Sequence, residues 1–179
     1  MAPFSPAPYH ILSYGTLLGT TFFHTFVNGI VSFKVLARPQ FAALMARLFP
    51  IYFTMQTALP AVLAVTYPGS RNPFGPAGGV AGVLDPANRW SVLVPLAGAF
   101  LCALANLAVV GPATTAVMHE RRQQEKKDGK KSYDAPPHSQ EMLALNKQFS
   151  ILHGVSSVLN LGAFVAAVKY GVTLSSRLS

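Results

Sequence analysis

Four long runs along the chain, residues 11–33, 48–70, 90–119 and 148–168, contain no Asp, Glu, Lys or Arg. Each reaches the roughly 20 residues that an α-helix needs to cross about 30 Å of hydrocarbon. All six acidic residues lie between or beyond the runs. Insertion demands this segregation, because a charge at the bilayer centre costs about 2.5 kcal/mol or more. The pattern predicts one all-α domain over 1–179, a polytopic membrane protein folded as a four-transmembrane-helix bundle. Its spans fall at about 11–36, 49–67, 90–118 and 148–170.

Punctuation between the runs refines this. Residues 1–9 hold three prolines and no charge, and predict a short irregular arm. Arg38-Pro39 ends the first helix, since a residue before proline disfavours the helical region. Residues 41–48 form a short apolar link in the headgroup layer. Pro50 falls in the first turn of the second helix, and Pro60 lies deeper, where it frees the Gln56 carbonyl and kinks the chain. Residues 68–88 are rich in Gly and Pro and read as an irregular loop. Trp90 follows at the interface. Gly111-Pro112 interrupts the third helix. Residues 120–139 form a charged, mobile cytosolic linker whose first part extends that helix into water.

Helical angles show where the polar residues point. His10, Tyr14, Thr21, His24, Asn28 and Ser32 share an arc of about 80° on the first helix. Gly15 and Gly19 lie opposite, so both faces of this helix predict contacts with neighbours, the glycines through close helix packing. On the fourth helix His153, Ser156, Ser157 and Asn160 form one stripe. The third adds Asn106, Thr114 and Thr115, and the second Gln56 and Thr57. Such residues form either interhelical hydrogen bonds that fix register or a polar cavity that holds a small ligand.

Composition agrees: 51% of residues are hydrophobic, 11% charged, and mean hydropathy is +0.37. The net charge of +8 does not imply nucleic acid, because the basic residues flank membrane segments. Ten of the fourteen flank the first and third links, which predicts a cytosolic face there and non-cytosolic termini. No basic region precedes the first run, so it does not read as a secretory signal. The single Cys102 excludes an intramolecular disulfide. No carboxylate lies within a run, and no Ser/His/Asp set or phosphate-cradling glycine loop occurs, so catalysis is not expected.

Three blocks carry a resemblance: Leu36-x-Arg38 with Leu48-Phe49-Pro50-x-Tyr52-Phe53; Asn106 with Gly111-Pro112-x-Thr114-Thr115-x-x-Met118; and Phe149-x-x-x-His153-Gly154-x-Ser156-Ser157-x-x-Asn160-Leu161. Their order and spacing over about residues 10–165 resemble the transmembrane protein 205-like family of eukaryotes. The resemblance implies a four-helix membrane protein of the endomembranes or plasma membrane without established enzymatic activity. It also implies a role in drug resistance or vesicle traffic. Ala113 stands where some members have arginine.

Together these features lead us to expect a non-enzymatic protein in transport or membrane homeostasis of a small solute, drug or metal. One alternative is a structural or adaptor subunit among membrane-protein partners, whose basic linker binds anionic lipid or a cytosolic protein. Another is a redox protein holding haem or a transition metal at His10 or His153, since imidazole is a common ligand. A His-led first helix is also similar to copper-resistance D-like proteins and the bacterial haem-dependent protoporphyrinogen oxidase. No cofactor is otherwise expected.

Overall fold

The computed structural model describes residues 6–69 and 78–176. Among these the regular structure is all helical: α1 (Ala7–Phe23), α2 (Gly29–Val35), α3 (Arg38–Val65), α4 (Gly79–Leu84), α5 (Val94–Ala105), α6 (Gly111–Asp128) and α7 (Gln140–Ser175). Wide π turns join α1 to α2 at His24–Asn28 and α5 to α6 at Asn106–Val110, and a third precedes α5 at Arg89–Leu93. Three continuous helical stretches are long and apolar enough to cross a membrane: Arg38–Val65, Pro86–Asp128 and Gln140–Ser175.

The connections make four antiparallel arms. The α1–α2 arm runs from the His10 end to the basic end, α3 returns, α5–α6 runs out again and α7 returns. α5 packs most extensively on α7 and α3, while α1 touches α3 and α7. The core near the His10 end gathers Leu17, Leu63, Tyr67, Val92, Leu96, Ala167 and Tyr170. Close approach of α5 to α7 rests on small side chains. Ala99, Ala103, Ala163 and Ala167 are buried there, and a Cβ on Gly162 would lie 3.3 Å from Cys102 Sγ. Backbones come near enough for dispersion to hold helices together where lipid is as apolar as the side chains.

Several expected boundaries move. Residues 41–48 are not a link: α3 runs unbroken from Arg38 through both Pro50 and Pro60. Pro39 occupies the first turn of α3, where its missing N–H costs nothing. The proline-rich arm is helical from Ala7. The 68–88 loop contains α4 and a 3-10 turn at Pro86–Asn88, secured by Asn88 Nδ2 donating to the Gly82 carbonyl at 2.8 Å. α6 extends to Asp128 and ends at Gly129, whose φ of 63° suits a residue without Cβ. α7 begins at Gln140, with the Ser139 hydroxyl accepting from the Met142 N–H. The 129–139 segment is tied down: Glu125 accepts from the Ser132 amide and hydroxyl at 3.0 and 2.6 Å. Residues 1–5 of the arm, 70–77 of the loop, and Arg71 and Arg177 from the charge count lie outside the described residues.

Candidate functional site: a polar layer between the arms

All four arms send polar groups into one layer of the interior. Tyr52 and Gln56 stand one turn apart on α3, and both are buried. The Tyr52 hydroxyl donates to Asn160 Oδ1 on α7. Gln56 Nε2 lies 3.0 Å from Asn160 Oδ1, 2.8 Å from the Tyr52 oxygen and 3.3 Å from Thr21 Oγ1. Asn160 Nδ2 donates to Thr25 Oγ1 at 2.7 Å, and Thr25 donates to the Thr21 carbonyl at 2.6 Å. The His24 ring stacks on Tyr52 with centroids 4.3 Å apart. On the remaining arm, fully buried Asn106 donates through Nδ2 to the Ser156 carbonyl at 3.2 Å.

Two acceptors in this layer lack donors. Gln56 Oε1 and Asn106 Oδ1 are buried and accept no hydrogen bond among the described residues. Each such orphan costs about 1–3 kcal/mol. The oxygens belong to side chains that hold α7 one turn apart, at Asn160 and Ser156. Two π turns border the layer, and each begins with one of its polar residues, His24 or Asn106. Such turns add a residue to the helical repeat and recur at functional sites. Gly111 makes the second possible, since a Cβ there would stand 2.7 Å from the Asn106 carbonyl oxygen.

The layer includes only part of the expected set. His24, Asn106, Ser156 (through its carbonyl) and Asn160 belong to it. Asn28 bonds His24 at 3.3 Å and continues the polar face along its own helix. His153 and Ser157 do not join: both are exposed, His153 stacks on Phe149, and Ser157 donates to the His153 carbonyl. The expected single stripe on α7 therefore divides. A period of 3.6 fixes the direction of a side chain, not whether a neighbour stands opposite at that height. Thr114 and Thr115 also stay outside, donating to the Val110 and Gly111 carbonyls of their own helix. Gly15 and Gly19 are exposed with nothing within 4 Å of a Cβ, so no helix among the described residues packs closely there. The glycine that does admit a neighbour on α1 is Gly171, covered by the Tyr14 ring.

His10 and Tyr14 form a separate group. His10 is 1% exposed, with Nδ1 3.0 Å from Thr66 Oγ1 and Nε2 2.6 Å from the Tyr170 hydroxyl. Thr66 gives its own proton to the Val62 carbonyl. Nδ1 therefore carries the imidazole proton, and Nε2 accepts from Tyr170. Both ring nitrogens are committed. Tyr170 lies 17 residues beyond His153 on α7, roughly 25 Å along the axis. His10 and His153 thus cannot belong to one metal or haem site.

Sequence reasoning missed Thr25, Thr66 and Tyr170, and gave Tyr52 only within the resemblance, not among the interior polar residues. The i, i+4 pairs Thr21/Thr25 and Tyr52/Gln56 carried a signal. Thr66 and Tyr170 sit at helix ends, where polar residues are ordinary.

With this geometry in view, similarity to known proteins can be placed. A family model for a domain of unknown function, DUF4149, matches residues 12–123. The chain belongs to the DUF4149 family. An Aspergillus fumigatus protein named xanthocillin biosynthesis cluster protein D is 35% identical over 173 residues, 96% of this chain and 90% of that protein. No solved structure matches. The DUF4149 match includes Thr21, Tyr52, Gln56 and Asn106 but stops before α7, so Asn160 is outside it.

Proposed function

We propose that this DUF4149 protein is a non-enzymatic, four-helix integral membrane protein of the transmembrane protein 205-like type, and that it handles a small polar solute at the interior layer. The observation that carries the reading is the pair of buried amide oxygens, Gln56 Oε1 and Asn106 Oδ1, left without donors inside a network drawn from every arm. A solute bearing N–H or O–H groups would complete both. The site oxygens are neutral, with no carboxylate among them, which favours an uncharged donor over a divalent cation. Four crossings are supported by the first arm. Residues 7–35 are helical throughout, and 29 residues reach roughly 43 Å, more than the hydrocarbon thickness. The basic residues at the α2–α3 and α6–α7 ends favour a cytosolic face there. The relative named for a biosynthesis cluster supports a place beside small-molecule metabolism.

Asn106→Leu tests the reading. It keeps the heavy-atom count and branching of Asn, though not its smaller volume, and removes an orphaned acceptor together with one long hydrogen bond. If the layer serves only packing, the fold should be unchanged or firmer, and rescue of a deletion strain under drug or metal stress complete. The solute reading expects normal thermal stability in detergent with lost rescue. Normal stability with full rescue overturns it. A second reading, a structural subunit, draws on the exposed groove of Gly15, Leu18, Gly19, Phe22, Phe164 and Val168, which suits a partner helix.

A further inference from the structure

At the basic end, α6 leaves its apolar stretch at Met118, and Arg121 stands one turn beyond. The guanidinium is held between helices with no direct ion pair among the described residues, and Glu125 acts on it only through space. Its carbon lies 4.5 Å from the centroid of the Phe149 ring on α7. Nη1 donates to the Met118 thioether at 3.4 Å, a weak acceptor. Nε is buried and has no partner among the described residues. Glu125, one turn further along α6, is already engaged by Ser132 and by Lys131, whose Nζ is 3.5 Å from Oε2. Asn146 faces the same region, with Nδ2 donating to the Ser132 carbonyl and Oδ1 buried without a donor. Exposed Arg122, Lys126 and Lys147 surround this end.

We propose that the α6–α7 junction docks one anionic phospholipid, its headgroup phosphate accepting from the Arg121 guanidinium where that group rests on Phe149. A planar fork suits two phosphate oxygens, and a ring face fixes the plane of the fork. Asn146 Oδ1 offers an acceptor for a headgroup hydroxyl. A lipid, rather than free phosphate, fits the depth. Arg121 follows an apolar run by one turn, and Phe149 opens one, so both lie where headgroup meets acyl chain. The inference rests on α6 and α7 crossing the bilayer and not on the solute reading.

The full chain, purified in a neutral detergent, should be titrated with phosphatidylglycerol, with phosphatidylcholine and with inorganic phosphate. Thermal unfolding and native mass spectrometry provide the readouts. One phosphatidylglycerol should be retained and should raise the melting temperature, whereas the other two should not. Arg121→Gln should weaken retention about tenfold or more, and exposed Arg122→Gln less than about twofold. Arg121→Lys keeps the charge and guards against misfolding. It should still lose most of the affinity, because an ammonium cannot present the fork. Equal losses from Arg121→Gln and Arg122→Gln would mean diffuse charge and overturn the site. Wild-type retention by Arg121→Lys, or a matching shift with inorganic phosphate, would overturn it as well.

Discussion

Replacing Asn160 with alanine should be the most damaging polar-to-alanine change within α7. Its Oδ1 accepts from Tyr52 and from Gln56, and its Nδ2 donates to Thr25, so one side chain joins three arms. Interhelical hydrogen bonds in membrane proteins average about 0.6 kcal/mol each, which puts three of them near 2 kcal/mol. The truncation also leaves the Tyr52 hydroxyl proton without its acceptor in an apolar interior, whereas Gln56 keeps Tyr52 and Thr21 and Thr25 keeps the Thr21 carbonyl. Ser157→Ala provides the control on the same helix. That hydroxyl is exposed and bonds only the His153 carbonyl of its own helix, so its removal should stay within about 0.5 kcal/mol. Reversible unfolding in mixed micelles, followed by circular dichroism, would rank the two. A cycle combining Tyr52→Phe with Asn160→Ala should give a coupling of at least about 0.5 kcal/mol. Equal effects of the two alanine variants, or additivity in the cycle, would refute the network as a source of stability.

Three other outcomes are expected. Gly111→Ala should cost about 1–3 kcal/mol, because its Cβ meets a backbone oxygen that cannot rotate away; thermal unfolding checks it. His10→Phe should lower stability by about 2 kcal/mol through loss of one buried and one part-buried hydrogen bond, whereas His153→Phe should be near neutral in the same assay. The third concerns the 129–139 segment. Burial alone would raise the Glu125 carboxyl, but hydrogen bonds from Ser132 and the charge of Lys131 outweigh it and hold the group below its ordinary value. A depressed folded value means that this anchor is fully present above the ordinary carboxylate range and lost as pH falls through the depressed one. The protection of the Ser132 amide, its exchange rate taken relative to the intrinsic rate at each pH, should therefore fall only on acidification through that range. Equal protection on both sides of it would remove Glu125 as the anchor.

Much of the architecture was legible in the amino-acid order. Charge-free runs marked the long helices, because no charged side chain can be left in hydrocarbon. The inward polar arc of the first arm, with His10, Thr21 and His24, followed from a 100° step. Asn106 and Asn160 were recognisable because an amide in an apolar helix must find a partner. The helix ends were less legible. At 38–48, 120–128 and 140–147 the helices continue past the apolar runs, where water and lipid headgroups no longer penalise charge and hydropathy loses its contrast. Only the tertiary structure decided which members of a stripe are interior. In a bilayer the lipid side and the bundle side of a helix are both apolar, so periodicity cannot tell His153, facing out, from Asn160, facing Tyr52 and Gln56. The same ambiguity hid the contact glycines. Gly15 and Gly19 had the expected spacing and lie open, while Gly162 and Gly171 meet Cys102 and Tyr14, because close approach depends on what the opposite helix presents at that height.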